Sequence, residues 1–396
     1  MHAGERTRVE EAWVSSCMAH RYDDLTVDAL RARPLLKWRH YDADVLPLWV
    51  ADMDFPVAEP IRAALRSYAD GDLFGYPEWS GLPGLREAVC DRLERRSGWR
   101  VDPDAVWIVP GTVAGLFGAV KAFASQGDGV LATTPLYPPF RFATEHQGRR
   151  FQTADLKETD AGWRLDLDAL DAAIDPSTRL LALCHPHNPT GRVFDRAELE
   201  ALAERVLEHR LFAVSDELHA DLNYGSTHVP FASVSPEVAR RTVTLVGPTK
   251  AFNLAGLKIG FAVAEDPAVM ERFKEAMFGF AMPAPSVSQA GALAAVRDAD
   301  AWLDDTLTYL KGNRDHVAEV VRDRLPGVRV HPPEATYLAW LDFRSTPLAD
   351  DPAAALLERA RLGLNDGASY GDAGRGFARL NFATSRAIVD EALARI

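Results

Sequence analysis

Through the middle of the chain, short uninterrupted apolar runs alternate with longer helical patterns, as βαβ units do. "DAVWIVPGTVAGLFGAVKAFASQG" predicts a strand over Ala105–Val109, a Pro-Gly break, and a helix to about Phe123. "DGVLATTPLYPPF" predicts a strand from Val130 that ends at a proline-rich bend, and "TRLLALCHPHNPTG" one from Leu180 to Cys184. "RLFAVSDELHADL" gives a strand over Leu211–Val214 followed by an acidic loop, and "RTVTLVGPTK" gives another that runs toward Lys250. Continuous Val/Ile/Leu runs suit strands buried on both faces, as in a mostly parallel sheet covered by helices. Beyond about Pro285 the pattern is largely helical. Short strands return at "GVRVHP", "TYLAWLDF" and "FARLNFAT", which predicts a smaller α+β domain. The expected organisation is α/β: an N-terminal segment, residues 1–56, packing with the small domain; a large domain over 57–285; and a small C-terminal domain over 286–396.

Composition narrows the classes of function. The chain of 396 residues is 47% apolar, ample for a sizeable core, and its net charge of −13 disfavours nucleic acid and anionic membranes as partners. An anionic ligand must therefore be held by local donors. Cys17, Cys90 and Cys184 are far apart and odd in number, which fits a reducing cytoplasm rather than a disulfide framework. Glu5, Glu10, Glu11, Asp23 and Asp24 punctuate the first residues, so no signal peptide is expected. No window approaches the ~20 apolar residues of a membrane span. A soluble cytoplasmic protein is the expectation.

Each central strand is followed at its carboxyl end by a residue capable of chemistry: Thr112, Tyr137, Asn188, Asp216 and Lys250. Open α/β sheets bind ligands at that edge. A lysine in low dielectric tends to lose its proton, and the neutral amine attacks carbonyl carbon. The free amides of Thr112 and Val113, after a glycine turn, suit a phosphate, although an ordinary helix start reads the same way. Tyr137 could stack on a flat ring or simply fill the core. Asn188 could bond a ligand or shape a turn. Asp216 needs a cation or donor partner, which a structural salt bridge would also supply. Lys258 could add charge to a phosphate pocket or lie exposed. Pyridoxal 5′-phosphate satisfies these demands together: Lys250 for its aldehyde, Asp216 for its ring nitrogen, Asn188 for its phenolate oxygen, Tyr137 for its face, and the helix start with Lys258 for its phosphate.

"PHNPTGRVF", "SDELHADL" and "PTKAFNLAGLK", in this order, resemble the fold-type I pyridoxal-phosphate enzymes of the class I/II aminotransferase superfamily. Within it, "LWVADMDFPV", "FGYPEWSGLPGLREAV" and "PLYPPF" resemble the cystathionine β-lyase-type C–S lyases. The resemblance runs from about Tyr41 to Arg386. It implies a homodimer with shared active sites, in which Tyr76 reaches the partner's cofactor phosphate. It also implies that Arg379 grips the substrate α-carboxylate, that His219 supports Asp216, and that the backbone around Ala51 lines the substrate pocket. Many relatives carry a hydroxyl residue three positions before the lysine, where this chain has Gly247; Thr249 keeps a hydroxyl next to Lys250.

The implied reaction is α,β-elimination of an amino acid carrying sulfur at Cβ. Transamination and decarboxylation remain open, because the same residues permit all three. A metal site built from Cys184, His185, His187, Asp216, Glu217, His219 and Asp221 is the rival reading, but the spacings match neither HExxH nor paired CxxC. "GPTK" lacks the Gly-Lys pairing of a phosphate loop, and "GDAGRG" reads as a turn.

Overall fold

The computed structural model describes residues 22–225, 227–279 and 284–396. Cys17 and residues 1–21 of the expected N-terminal segment lie outside these. Seven strands form the central sheet: β1 (Val106–Val109), β2 (Gly129–Thr134), β3 (Arg150–Asp155), β4 (Thr178–Cys184), β5 (Phe212–Asp216), β6 (Thr242–Val246) and β7 (Gly260–Val263). Their spatial order is β1-β7-β6-β5-β4-β2-β3. Only β7 runs against its neighbours. The mostly parallel sheet is therefore as expected.

Alternation along the strands fills two cores. Val130, Leu180, Ala182, Val214 and Leu245 face one side with Leu116, Phe123 and Phe273. Leu131, Leu181, Leu183 and Ala213 face the other with Leu202 and Val206. The Thr112–Phe123 helix lies close against the first face at Gly115 and against the Pro267–Met277 helix at Gly118, because neither glycine has a side chain. A Cβ would meet Leu245 Cδ2 at 2.7 Å from Gly115, and the Met277 sulfur from Gly118.

The C-terminal part holds a second, antiparallel sheet of β8 (Arg329–Val330), β9 (Leu338–Asp342), β10 (Asn365–Asp366) and β11 (Phe377–Asn381), ordered β8-β9-β11-β10. Leu46–Pro47 pairs in parallel with Leu362–Gly363. Leu46, Leu48, Met53 and Phe55 share a core with Leu303, Leu310, Leu338 and Leu380.

Three differences from the sequence reading matter. Asp216 is the last residue of β5 and not part of the loop after it. β7 and β3 went unread. β7 is only four residues long and follows a turn at once, while β3, "RFQTAD", is an edge strand whose polar positions break the apolar run. Gly111, with φ of 107°, occupies the cap position, and Thr112 is the first helical residue. Among the described residues no helix is long and apolar enough to cross a membrane.

Candidate active site

The carboxyl edge of the sheet brings Thr112, Tyr137, Asn188, Asp216 and Lys250 into one neighbourhood, and β11 delivers Arg379 to it from the second sheet. Arg379 Nη1 donates to Asn188 Oδ1 at 2.9 Å, and its Nη2 to the Trp49 carbonyl at 3.0 Å. The Tyr137 amide donates to the Asn188 carbonyl at 3.2 Å. Lys250 Nζ donates to the Ala51 carbonyl at 2.6 Å. Asp216 Oδ1 accepts from the Leu218 amide at 3.1 Å, and the Thr112 hydroxyl also bonds this carboxyl.

The charges in this edge are poorly matched before a ligand arrives. Arg379 is 2% exposed, its Nε has no partner, and no carboxylate pairs with it among the described residues. Its guanidinium plane lies over the Tyr370 ring, 5.3 Å from the centroid. A buried guanidinium bonded only to neutral oxygens is a ready receptor for a carboxylate. Asp216 is the converse. Burial foremost, with Glu217 adding, raises its carboxyl to about 7, against the pull of the Leu218 amide, Lys250 and Thr112. A protonated ring nitrogen would supply the cation this carboxylate lacks. Burial draws the Lys250 amine below its usual value; Arg379 acts the same way, and Asp52 and Asp216 oppose it. Burial, then the charges of Lys250 and Arg379, hold His219 at about 3, so its ring is neutral near pH 7.

The helix start offers its backbone amides to an anion. No side chain caps the Thr112–Phe123 helix, and the amides of its first turn are open to a phosphate. An amine with lowered pKa, a carboxylate awaiting a cation and uncapped amides fit a phosphorylated pyridine aldehyde. Among the described residues no group of three or more His, Cys, Asp or Glu side chains is arranged to hold a metal ion.

The remaining candidates are placed as follows. Thr249 is buried beside Lys250, and Val113 is exposed. Lys258 is exposed at the end of a short turn, with φ of 47°, and makes no ion pair among the described residues. No hydrogen bond joins His219 to Asp216 among the described residues; its ring lies edge-on to Tyr337 at 6.4 Å, and its Nδ1 is buried without a partner. Tyr76 is 96% exposed, far more than its apolar ring favours in a lone chain. Gly247 is wedged in place: a Cβ there would meet Gly260 Cα and the Ile259 carbonyl, each at 3.2 Å.

Sequence reading missed Asp52, Tyr337, Tyr370 and Asn381. Asn381 Nδ2 donates to the carbonyls of Val50 and Asp52, each at 2.7 Å, and the Tyr337 hydroxyl donates to Ala51 at 3.1 Å. For Tyr337 and Asn381 the signal available was a polar group within the apolar strand motifs "TYLAWLDF" and "FARLNFAT"; Asp52 and Tyr370 lie in neither motif.

The chain belongs to the aminotransferase class I and II family, whose profile matches residues 43–396. It is 38% identical over 364 residues to cystathionine beta-lyase PatB of Bacillus subtilis (strain 168), covering 89% of this chain and 92% of that protein. The solved structure of OvoB is 39% identical, with a TM-score of 0.88 over 92% of this chain and 95% of that one. Cystalysin of Treponema denticola, whose crystal structure contains pyridoxal 5′-phosphate, is 30% identical with a TM-score of 0.89, over 94% and 97% of the two chains.

Proposed function

We propose that this chain is a pyridoxal 5′-phosphate-dependent carbon–sulfur lyase that converts cystathionine or another cysteine S-conjugate to pyruvate, ammonia and a thiol. The observation that carries the reading is the joint presence, on one sheet edge, of an amine with lowered pKa, a carboxylate lacking a cation and a buried guanidinium lacking an anion. Relatives named as cystathionine β-lyases favour elimination over the transamination that the family also supports.

The bound cofactor supplies an electron sink for the pair left at Cα when its proton departs. Arg379 exchanges its neutral oxygen partners for the substrate carboxylate and so fixes the amino acid's orientation. Asp216 holds a proton on the ring nitrogen, the charge balance its burial calls for. Lys250, freed beside Cα, accepts the Cα proton. The C–S bond at Cβ then breaks, and the sulfur leaves with the bonding pair and takes up a proton. The released three-carbon enamine takes up water to give pyruvate and ammonia. Tyr137 would cover the ring face, Asn188 would bond its phenolate oxygen, His219 would support Asp216, and Thr112, Val113, Thr249 and Lys258 would hold its phosphate.

Residues 57–285 hold the cofactor in this reading, and residues 286–396, with the N-terminal segment, present Arg379 and Ala51. The chain acts as a homodimer in which the exposed Tyr76 completes the partner's phosphate site. Two buried thiols outside any disulfide among the described residues, Cys90 and Cys184, suit a reducing cytoplasm. Purified protein given L-cystathionine releases pyruvate if the reading holds. Conversion of the cofactor to its aminated form without pyruvate would instead make it a transaminase.

A further inference from the structure

The Ala51 carbonyl is a shared acceptor. Lys250 Nζ reaches it at 2.6 Å and the Tyr337 hydroxyl at 3.1 Å, and a carbonyl oxygen has a lone pair for each. Tyr337 is 1% exposed and immediately precedes β9. Its backbone is fixed as well, since its carbonyl accepts from the Phe382 amide at 3.0 Å and the preceding amide, of Thr336, donates to Leu222 at 2.8 Å. The neighbouring carbonyls are equally engaged. Arg379 holds that of Trp49, and Asn381 holds those of Val50 and Asp52. Among the described residues, Lys250 and Tyr337 are the two donors to Ala51.

We propose that Tyr337 is a positioning residue for Lys250: by fixing the Ala51 carbonyl, it fixes where the lysine amine rests when free to take the proton from the substrate's Cα. The inference rests on the reading of Lys250 as proton acceptor given above. The phenol also competes for the oxygen that stabilises the protonated amine. Without it, the carbonyl serves the ammonium alone, and the lysine holds its proton more tightly. The other groups facing the amine are Asp52, Asp216, Arg379 and the neutral ring of His219, and Asp52 and Arg379 also face the Tyr337 hydroxyl.

The test is Tyr337→Phe in the holoenzyme, which keeps the ring against His219. With L-cystathionine, kcat and Cα–hydrogen exchange in D2O should fall about tenfold or more, the low end of what a well-placed general base contributes. KM should stay within about twofold. The pH midpoint of Cα–hydrogen exchange, which reports the freed amine, should move upward. A ring-fluorinated tyrosine at the same position, a stronger donor of equal shape, should move the midpoint the other way. Unchanged kcat, exchange and midpoint would overturn the proposal. So would a loss of rate matched by equal losses of cofactor content and thermal stability, which would make Tyr337 a fold residue. Cα exchange precedes both elimination and transamination, so a wild-type enzyme that exchanges without releasing pyruvate removes the lyase reading and leaves Tyr337 to be judged on the same three readouts. A wild-type protein that binds no cofactor overturns both.

Discussion

Arg379 is held between Asn188 and Trp49 with no counter-ion among the described residues, so its removal should be felt mainly by the substrate. Arg379→Ala should raise KM for L-cystathionine on the order of a hundredfold, from about 2–5 kcal/mol for a buried charge pair cut in half. Arg379→Lys should recover only part of that, because an ammonium cannot offer the planar fork. Steady-state kinetics decide it; an unchanged KM would place the carboxylate elsewhere. The buried histidines set a second expectation. His187 and His219 are held at about 3, mainly by burial, and His185 is also well below its ordinary value. The folded state therefore binds fewer protons than the unfolded chain below about pH 6.5, and stability is lost as the pH falls through that value. At pH 5 each such histidine costs the fold roughly 2 kcal/mol relative to pH 8. Asp216, raised to about 7, and Asp52 and Asp305, also raised mainly by burial, act oppositely, because the fold keeps their protons as the pH drops, and they offset part of the histidines' loss. The thermal midpoint of the cofactor-free protein should fall from pH 7.5 to pH 5, and less steeply in His187→Gln; a midpoint that rises on acidification would contradict this. The lysine, aspartate and asparagine at the strand ends were legible because each lies within four residues of the end of an apolar run. Tyr337 and Asn381 were not, because their partners near residue 51 are separated from them by 286 and 331 positions.

At the scale of elements, the helix start and the ends of β6 and β7 are packed by glycines. A Cβ on Gly260 would meet the Thr112 amide nitrogen at 3.2 Å, and one on Gly247 would meet the Gly260 backbone at the same distance. A side chain three positions before Lys250 would thus crowd the neighbouring backbone. Gly247→Ser should destabilise the protein by about 1–3 kcal/mol without improving cofactor retention. Urea unfolding, with cofactor content measured alongside, checks this; a variant that is more stable and holds the cofactor more tightly would refute it. The parallel strands were legible because burial on both faces makes them continuous apolar runs. β7 and β3 were hidden by shortness and by edge polarity. The Leu46–Pro47 pairing with Leu362–Gly363 is two residues long and joins distant parts of the chain, so no local pattern announces it.

For the whole molecule, an exposed apolar run is the feature a lone chain explains least. Leu73, Phe74, Tyr76 and Trp79 all stand more than half exposed within one short segment. That segment is pinned to the Ser286–Asp298 helix by Ser286 on the Gly75 carbonyl and Gln289 on the Leu82 amide. In the proposed dimer, Tyr76→Ala and Lys250→Ala damage different halves of each site. Mixing the two inactive variants should restore activity to about a quarter of the sites, since half of randomly paired dimers carry one intact site. No recovery would argue that each chain works alone. The central claim, that Lys250 carries the cofactor of a carbon–sulfur lyase, is tested most directly by the absorbance spectrum of the purified protein with L-cystathionine, pyruvate being assayed in the same cuvette. The account predicts a visible cofactor band and steady pyruvate release in the wild type, both absent in Lys250→Ala. A band that persists in Lys250→Ala, or no band in the wild type with cofactor added, would contradict it.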